Sequence, residues 1–245
     1  MIKEQKYYGI HACWTIWEKR PEDIVRVYIE QSNVKAFSPL LKWCAQNKKA
    51  YHIIPTAELD KVTDSVHHEG VCILAKEVTV LSEQEMRRIL AAEKRAVCLL
   101  YLDGVENPHN LGSILRTAAH FGIPYILGEK LPPLSASACR IAKGGAEMVR
   151  LVALKKPIQT LEWLKQRGFS FFGTSSHGGT SLYQTRFPPK TILAMGAESE
   201  GVSKALMKLA SQSIKISGTG IVDSLNVAVA TALCIGEYCR QHGNR

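Results

Sequence analysis

The chain has 245 residues, 46% of them hydrophobic, an ordinary globular composition with room for one domain or two. No run of about 18 uncharged apolar residues occurs, which excludes a transmembrane helix, and the opening MIKEQKYYGIHACW lacks a secretory apolar stretch, so a cytoplasmic protein is expected. The net charge of +9 is uneven, at +2 over residues 1–76, zero over 77–96 and +7 over 97–245, which favours a polyanionic partner.

The first part, residues 1–76, reads as a small α/β unit. Helical spacing covers 10–20, the β-rich run VRVYIE stands at 25–30, and a helix is expected over 36–47. Short strands follow at 50–55 and 70–77. Strands alternating with helices suggest parallel pairing. Residues 77–96 are polar, with helical spacing in the middle, and read as a linker. The second part, 97–245, holds apolar runs at 97–102, 124–127, 149–153, 169–173, 191–195 and 213–216. Helical segments are expected at 111–121, 136–146, 158–167, 203–210 and 225–240. Gly122 and Gly168 suit left-handed helix ends. Short apolar strands between helices predict a parallel sheet covered on both faces.

Seven cysteines, at 13, 44, 72, 98, 139, 234 and 239, are scattered, odd in number and without C-x-x-C spacing, and read as inert thiols of a reduced chain. His67-His68-Glu69 is not expected to bind metal, because adjacent strand residues point to opposite faces. Trp14 and Trp17 are expected in the core, whereas Tyr7 and Tyr8 are candidates for stacking on bases.

Three polar, glycine-bearing segments lie beside predicted strand ends, where open α/β sheets bind ligands. The first is Asn107-Pro-His-Asn-Leu-Gly-Ser-Ile-Leu-Arg116, in which Asn110 suits a helix N-cap. The second is Met195-Gly-Ala-Glu198-Ser-Glu-Gly201-Val-Ser203. A phosphate-binding P-loop would need lysine at Val202, so ATP hydrolysis is not expected. The third is Ile216-Ser-Gly-Thr-Gly-Ile-Val-Asp223-Ser224-Leu225-Asn226-Val. Each also has a plain reading, as a capped turn or a glycine loop ahead of a helix.

Together, in this order and spacing, the three segments resemble the SpoU/TrmH family of SPOUT methyltransferases over residues 97–242. Tyr8-Gly9-Ile10-His11-Ala12 and His67-His68-Glu69-Gly70 are similar to that family's ribosomal-protein-L30-like substrate-binding extension. The resemblance implies an α/β fold: a parallel-sheet domain with a deep trefoil knot, behind a small N-terminal domain. It implies transfer of a methyl group from S-adenosylmethionine to a ribose 2′-hydroxyl of rRNA or tRNA, by a homodimer that needs no metal. Asn110, Arg116, Glu198, Ser224 and Asn226 would form the catalytic surface. Gly196, Gly201, Ile216, Gly218 and Leu225 would meet the cofactor. The chain departs from the family pattern at Ser217, Ser199, Ala228 and Asp223. A non-catalytic RNA-binding or ribosome-assembly factor that keeps the fold is the alternative.

Overall fold

The computed structural model describes residues 3–176, 178–197 and 201–243. In chain order the first part contains β1 (Glu4–Tyr8), α1 (Ile10–Lys19), β2 (Ile24–Ile29), α2 (Ser38–Gln46), β3 (Ala50–Ile53), α3 (Thr56–Thr63) and β4 (Val71–Lys76). Its four-stranded sheet has the order β1-β4-β2-β3. The expected parallel pairing holds only for β2 with β3; β4 runs antiparallel to both β1 and β2. The cause is β1, which the sequence reading missed. Its half-exposed, charged EQKYY carries no strong strand pattern, so β4 was read without its antiparallel neighbour.

The second part contains α4 (Glu83–Ala92), β5 (Val97–Asp103), α5 (Pro108–His120), β6 (Tyr125–Gly128), α6 (Ala136–Ala142), α7 (Gly145–Met148) and β7 (Arg150–Ala153). It continues with α8 (Pro157–Gln166), β8 (Ser170–Thr174), β9 (Thr180–Ser181), β10 (Lys190–Gly196), α9 (Lys204–Met207), β11 (Gln212–Lys215) and α10 (Val227–His242). The seven-stranded sheet has the order β7-β6-β5-β10-β8-β11-β9, and every pairing in it is parallel, as expected. Alternate residues of the central strands serve opposite faces. Cys98, Leu100, Leu102, Leu193 and Met195 pack toward α5 and α10, while Leu99, Tyr101, Ile192 and Ala194 pack toward α4, α8 and α9.

Three further elements differ from expectation. The helix foreseen over 136–146 breaks into α6 and α7 at Lys143 and Gly144, both in left-handed backbone. The helix foreseen over 203–210 shrinks to the short α9. The helix in the 77–96 segment is built into the second domain: Leu81, Met86 and Leu90 are buried against Leu99, Tyr101 and Leu161. Gly122 and Gly168 end α5 and α8 with positive φ, as their positions implied.

One apolar cluster joins the two sheets, running from Tyr7, Cys13 and Ile16 to Leu115, Cys139 and Ala146. Across this contact Arg20 donates to both carboxylate oxygens of Glu147, at 2.7 and 2.9 Å, and a third bond of 2.6 Å reaches the Lys76 carbonyl. Its guanidinium also lies 5.0 Å from the Tyr7 ring centre. Burial alone would lower the Arg20 pKa, but the hydrogen bonds and charge of Glu147 prevail and the net shift is upward. Tyr7 and Tyr8 are buried core residues and thus not base-stacking groups, while Trp14 packs on Trp17 and Phe37 at 5.0 Å each.

Candidate active site

The chain leaves β5 to build β6 and β7 on one side, then β8 on the other, so the sheet's direction of growth reverses between β5 and β10. Strand ends at such a reversal splay their loops apart and leave a crevice. Asp103 and Gly196 are paired at this edge. Gly196 is needed for close approach: a Cβ there would run into the backbone of Gly201 and Val202. The turn is closed by Gly201 N–H donating to the Ala197 carbonyl at 2.8 Å. Asp103 anchors its far side, accepting from the Ser203 amide at 2.7 Å.

Two adjoining cavities open here, sharing Ala197 and Val227 in their walls. The larger, about 470 Å³, is lined by Thr174, Ser175 and Ser176 at the end of β8, by Gly196, Ala197 and Gly201 at the end of β10 and beyond it, and by the 214–225 segment that begins in β11. Of the sequence-derived cofactor residues, Gly196, Gly201, Ile216, Gly218 and Leu225 all lie in this wall, together with Ser224. The smaller cavity, about 300 Å³, is lined by Glu106, Asn107, Asn110 and Asn226. Asn226 Nδ2 donates to Asn110 Oδ1 at 3.0 Å, which ties the first segment to the third across 116 positions of sequence.

The N-cap of α5 is Asn107, not Asn110 as expected; its Oδ1 accepts from the His109 amide at 2.8 Å and Pro108 takes the first helical position. Asn110 instead lies in the wall of the smaller cavity, bonded to Asn226. Asn226 caps α10, accepting from the Ala228 amide at 2.9 Å. Arg116 lies exposed on α5 and is not among the residues lining either cavity. Glu198 lies outside the described residues. Asp103, Glu106, Thr174, Ser175 and Ser176 were not singled out from the sequence. Each sits at or just beyond the carboxyl end of an expected strand, so the strand-end rule applied to every strand would have found them.

The donor set of the larger cavity suits a nucleoside joined to a zwitterionic amino acid. Its only charged described residues are one lysine, Lys215, and one carboxylate, Asp223. Gly218 and Gly220 leave open space where side chains would stand, and Val222 and Leu225 present uncovered apolar surface. A polyphosphate would require several cations or converging amides. At His67-His68-Glu69, His68 is buried. Its Nδ1 accepts from Gly70 N at 2.9 Å and its Nε2 lies 3.0 Å from Asp60, a structural arrangement. Among the described residues no cluster suited to a metal ion is found.

Residues 97–236 match the SpoU rRNA Methylase family, and residues 7–81 match the RNA 2′-O ribose methyltransferase substrate binding family. The chain is 38% identical over 241 residues to the uncharacterized tRNA/rRNA methyltransferase YfiF of Escherichia coli O157:H7, covering 98% of this chain and 69% of that protein. It is 32% identical to the 23S rRNA (guanosine-2′-O-)-methyltransferase RlmB of Salmonella typhimurium, covering 96% and 97% of the two chains. Its fold is that of the SpoU methyltransferase AviRb of Streptomyces viridochromogenes, solved in complex with AdoMet, with TM-score 0.78 and 20% identity over 97% of this chain and 90% of that one. With more than half its length matched by the methylase domain and the remainder largely by the substrate-binding domain, the chain belongs to the SpoU rRNA methylase family, as an RNA 2′-O-methyltransferase.

Proposed function

We propose that the chain methylates one ribose 2′-hydroxyl of ribosomal RNA, with S-adenosylmethionine in the larger cavity and the target ribose in the smaller. The observation that carries this reading is the shared wall at Ala197 and Val227, beside the Asn110–Asn226 hydrogen bond. Two sites sharing a wall let a donor and an acceptor meet in line, which converts a bimolecular reaction into an oriented one. The cofactor, when bound, supplies a sulfonium methyl that is already electrophilic. The glycines and the 214–225 segment hold it, largely through backbone groups. Asn110 and Asn226, each fixed by the other, orient the ribose. Ser224, in the wall of the larger cavity, orders the loop that precedes Asn226. Arg116 serves as a fixed cation and not as the proton acceptor. Its role is to hold an RNA phosphate and place positive charge near the developing alkoxide. Glu198, in the second segment, completes the catalytic set.

The working form is a cytoplasmic homodimer. Exposed Ile221, Val222 and Val229, at 86%, 69% and 51% exposure around the loop before α10 and on its first turn, support a partner surface beside the site. No helix among the described residues is long and apolar enough to cross a membrane. The deciding experiment is methyl incorporation from labelled S-adenosylmethionine into rRNA purified from cells lacking the gene, followed by mapping of 2′-O-methylation. One modified nucleotide is expected. Binding of that RNA without any methyl transfer would instead place the chain among non-catalytic assembly factors.

A further inference from the structure

Alternation along the strands gives the four-stranded sheet two unlike faces. Tyr7, Val27, Ile29 and Ile73 turn inward to the apolar cluster. On the other face Lys6, Leu74 and Arg26 stand side by side across three strands, and in the next row Tyr28 lies beside His52. Arg26 reaches this face because the register slips between Ile24 and Arg26; without that bulge it would share the inner face with Ile24. Helix α3 covers only the end at Tyr8 and Cys72, through Leu59, and leaves Lys6, Arg26 and His52 exposed. The Tyr28 and His52 rings lie 5.6 Å apart and 22° from parallel, and Arg26 Nη1 donates to the Tyr28 hydroxyl at 3.3 Å. Among the described residues neither Lys6 nor Arg26 forms an ion pair. The four strands place a single carboxylate on this face, Glu4, at the far end of β1 opposite Lys76.

An open sheet face with a stacked ring pair beside cations is complementary to unpaired RNA: a splayed base offers a flat face to the rings, and its backbone offers phosphates to the cations. We propose that this face binds a single-stranded segment of the substrate RNA, with one base stacking on the His52 ring and with Lys6 and Arg26 on the phosphates. The stack is open at His52 because β3 is the edge strand and no further strand covers it. A duplex, whose bases are stacked on one another, presents no free base face to such a ring. The proposal rests on the RNA methyltransferase reading, to which the match of residues 7–81 to a substrate-binding family belongs, and adds the surface used and the form of RNA taken. Stacking and phosphate contacts tolerate many sequences, so this face secures an unpaired strand and leaves the choice of nucleotide to the cavities.

The full-length chain is titrated with oligouridine, which stays unpaired, and with a blunt RNA duplex, each over a salt series. His52 is exposed on an edge strand, so His52→Ala should keep the wild-type thermal midpoint and the wild-type affinity for S-adenosylmethionine. Its affinity for oligouridine should fall about tenfold, the loss of one base stack, while the salt slope and the duplex affinity hold. His52→Phe, which returns a ring without its nitrogens, should recover the affinity. Lys6→Gln and Arg26→Gln should each shrink the slope of log affinity against log salt by about 0.7, the loss of one single-strand phosphate contact. A wild type that ignores oligouridine would overturn the proposal, as would His52→Ala at wild-type affinity or His52→Phe as weak as His52→Ala. An equal loss of duplex binding in His52→Ala would overturn it too. A wild type that binds oligouridine through His52 yet transfers no methyl group to rRNA would leave the surface standing and remove the enzyme reading; methyl transfer by the wild type, with unchanged oligouridine binding in His52→Ala, would do the reverse.

Discussion

At the scale of single residues, charge and protonation carry the testable content. Arg116→Ala should lower single-turnover methyl transfer by about 10²–10³ at saturating cofactor, with cofactor affinity unchanged, if the cation has the role proposed for it on the developing charge, since it does not line the larger cavity. Arg116→Lys should recover part of that loss if a point charge suffices, and little if the fork-shaped donor array is required. Wild-type turnover in Arg116→Ala would take the residue out of the reaction. The cysteines form a second set. All are buried, and burial pushes Cys44 up to about 11 and Cys72, Cys139 and Cys234 up to about 12. Thiol reagents at about pH 8 should therefore label the native chain far more slowly than the urea-unfolded chain. Folding linkage has a definite sign here. Between 9.0, the ordinary thiol value, and about 12 the folded chain keeps protons that the unfolded chain has lost, so stability falls as pH rises through that window. The urea midpoint should hold up to 9.0 and then drop, and a midpoint rising with pH in that window would contradict the buried placement.

At the scale of elements, the turn after β10 and the helix α4 are the informative pieces. Gly196→Ala should abolish cofactor binding while leaving most of the sheet intact, since the added methyl group meets the Gly201 and Val202 backbone. Calorimetry with S-adenosylmethionine, beside a circular dichroism spectrum, checks this; unimpaired binding would show that the turn can yield. Domain boundaries make a second test. With Met86 and Leu90 fully covered by the second sheet, a fragment starting at Val78 should be markedly more stable than one starting at Val97. Equal urea midpoints for the two would mean that α4 is a detachable linker, as its polar composition suggests when read alone.

At the scale of the whole molecule, the question is how the substrate-binding domain is held on the methylase domain. The Arg20 and Glu147 side chains are only 12% and 6% exposed and form a forked pair. Removing one partner strands a buried charge, so Arg20→Ala should cost about 3–5 kcal/mol, as breaking a buried pair typically does. The double change Arg20→Met with Glu147→Leu should restore most of the stability, because well-packed apolar groups replace buried ion pairs at little net cost. Chemical denaturation of wild type, Arg20→Met, Glu147→Leu and the double variant tests this as a cycle. An additive result would show that the two residues act independently and that the clamp is supplied by the apolar contact alone. Both glycines at the seam, Gly144 and Gly145, serve the same end by letting α1 and α5 approach the turn between α6 and α7.

The order of strands and helices in the second domain, and its burial on both faces, follow from local pattern, because uninterrupted apolar runs such as VCLLYL are stable only as central parallel strands. The three cavity-lining segments were legible as well, since an open parallel sheet leaves its crevice at the carboxyl ends of its strands, where all three segments lie. Pairing direction in the first domain was not, because the charged, half-exposed β1 has no pattern apart from its partner β4. Nor was the choice between Asn107 and Asn110 as helix cap, which local propensity leaves equal and backbone geometry settles. The Asn110–Asn226 bond, the Arg20–Glu147 pair and the close packing of Gly144 on Thr15 join residues more than a hundred positions apart. Such contacts depend on where the folded chain returns, which composition and periodicity do not encode and only the tertiary structure decides.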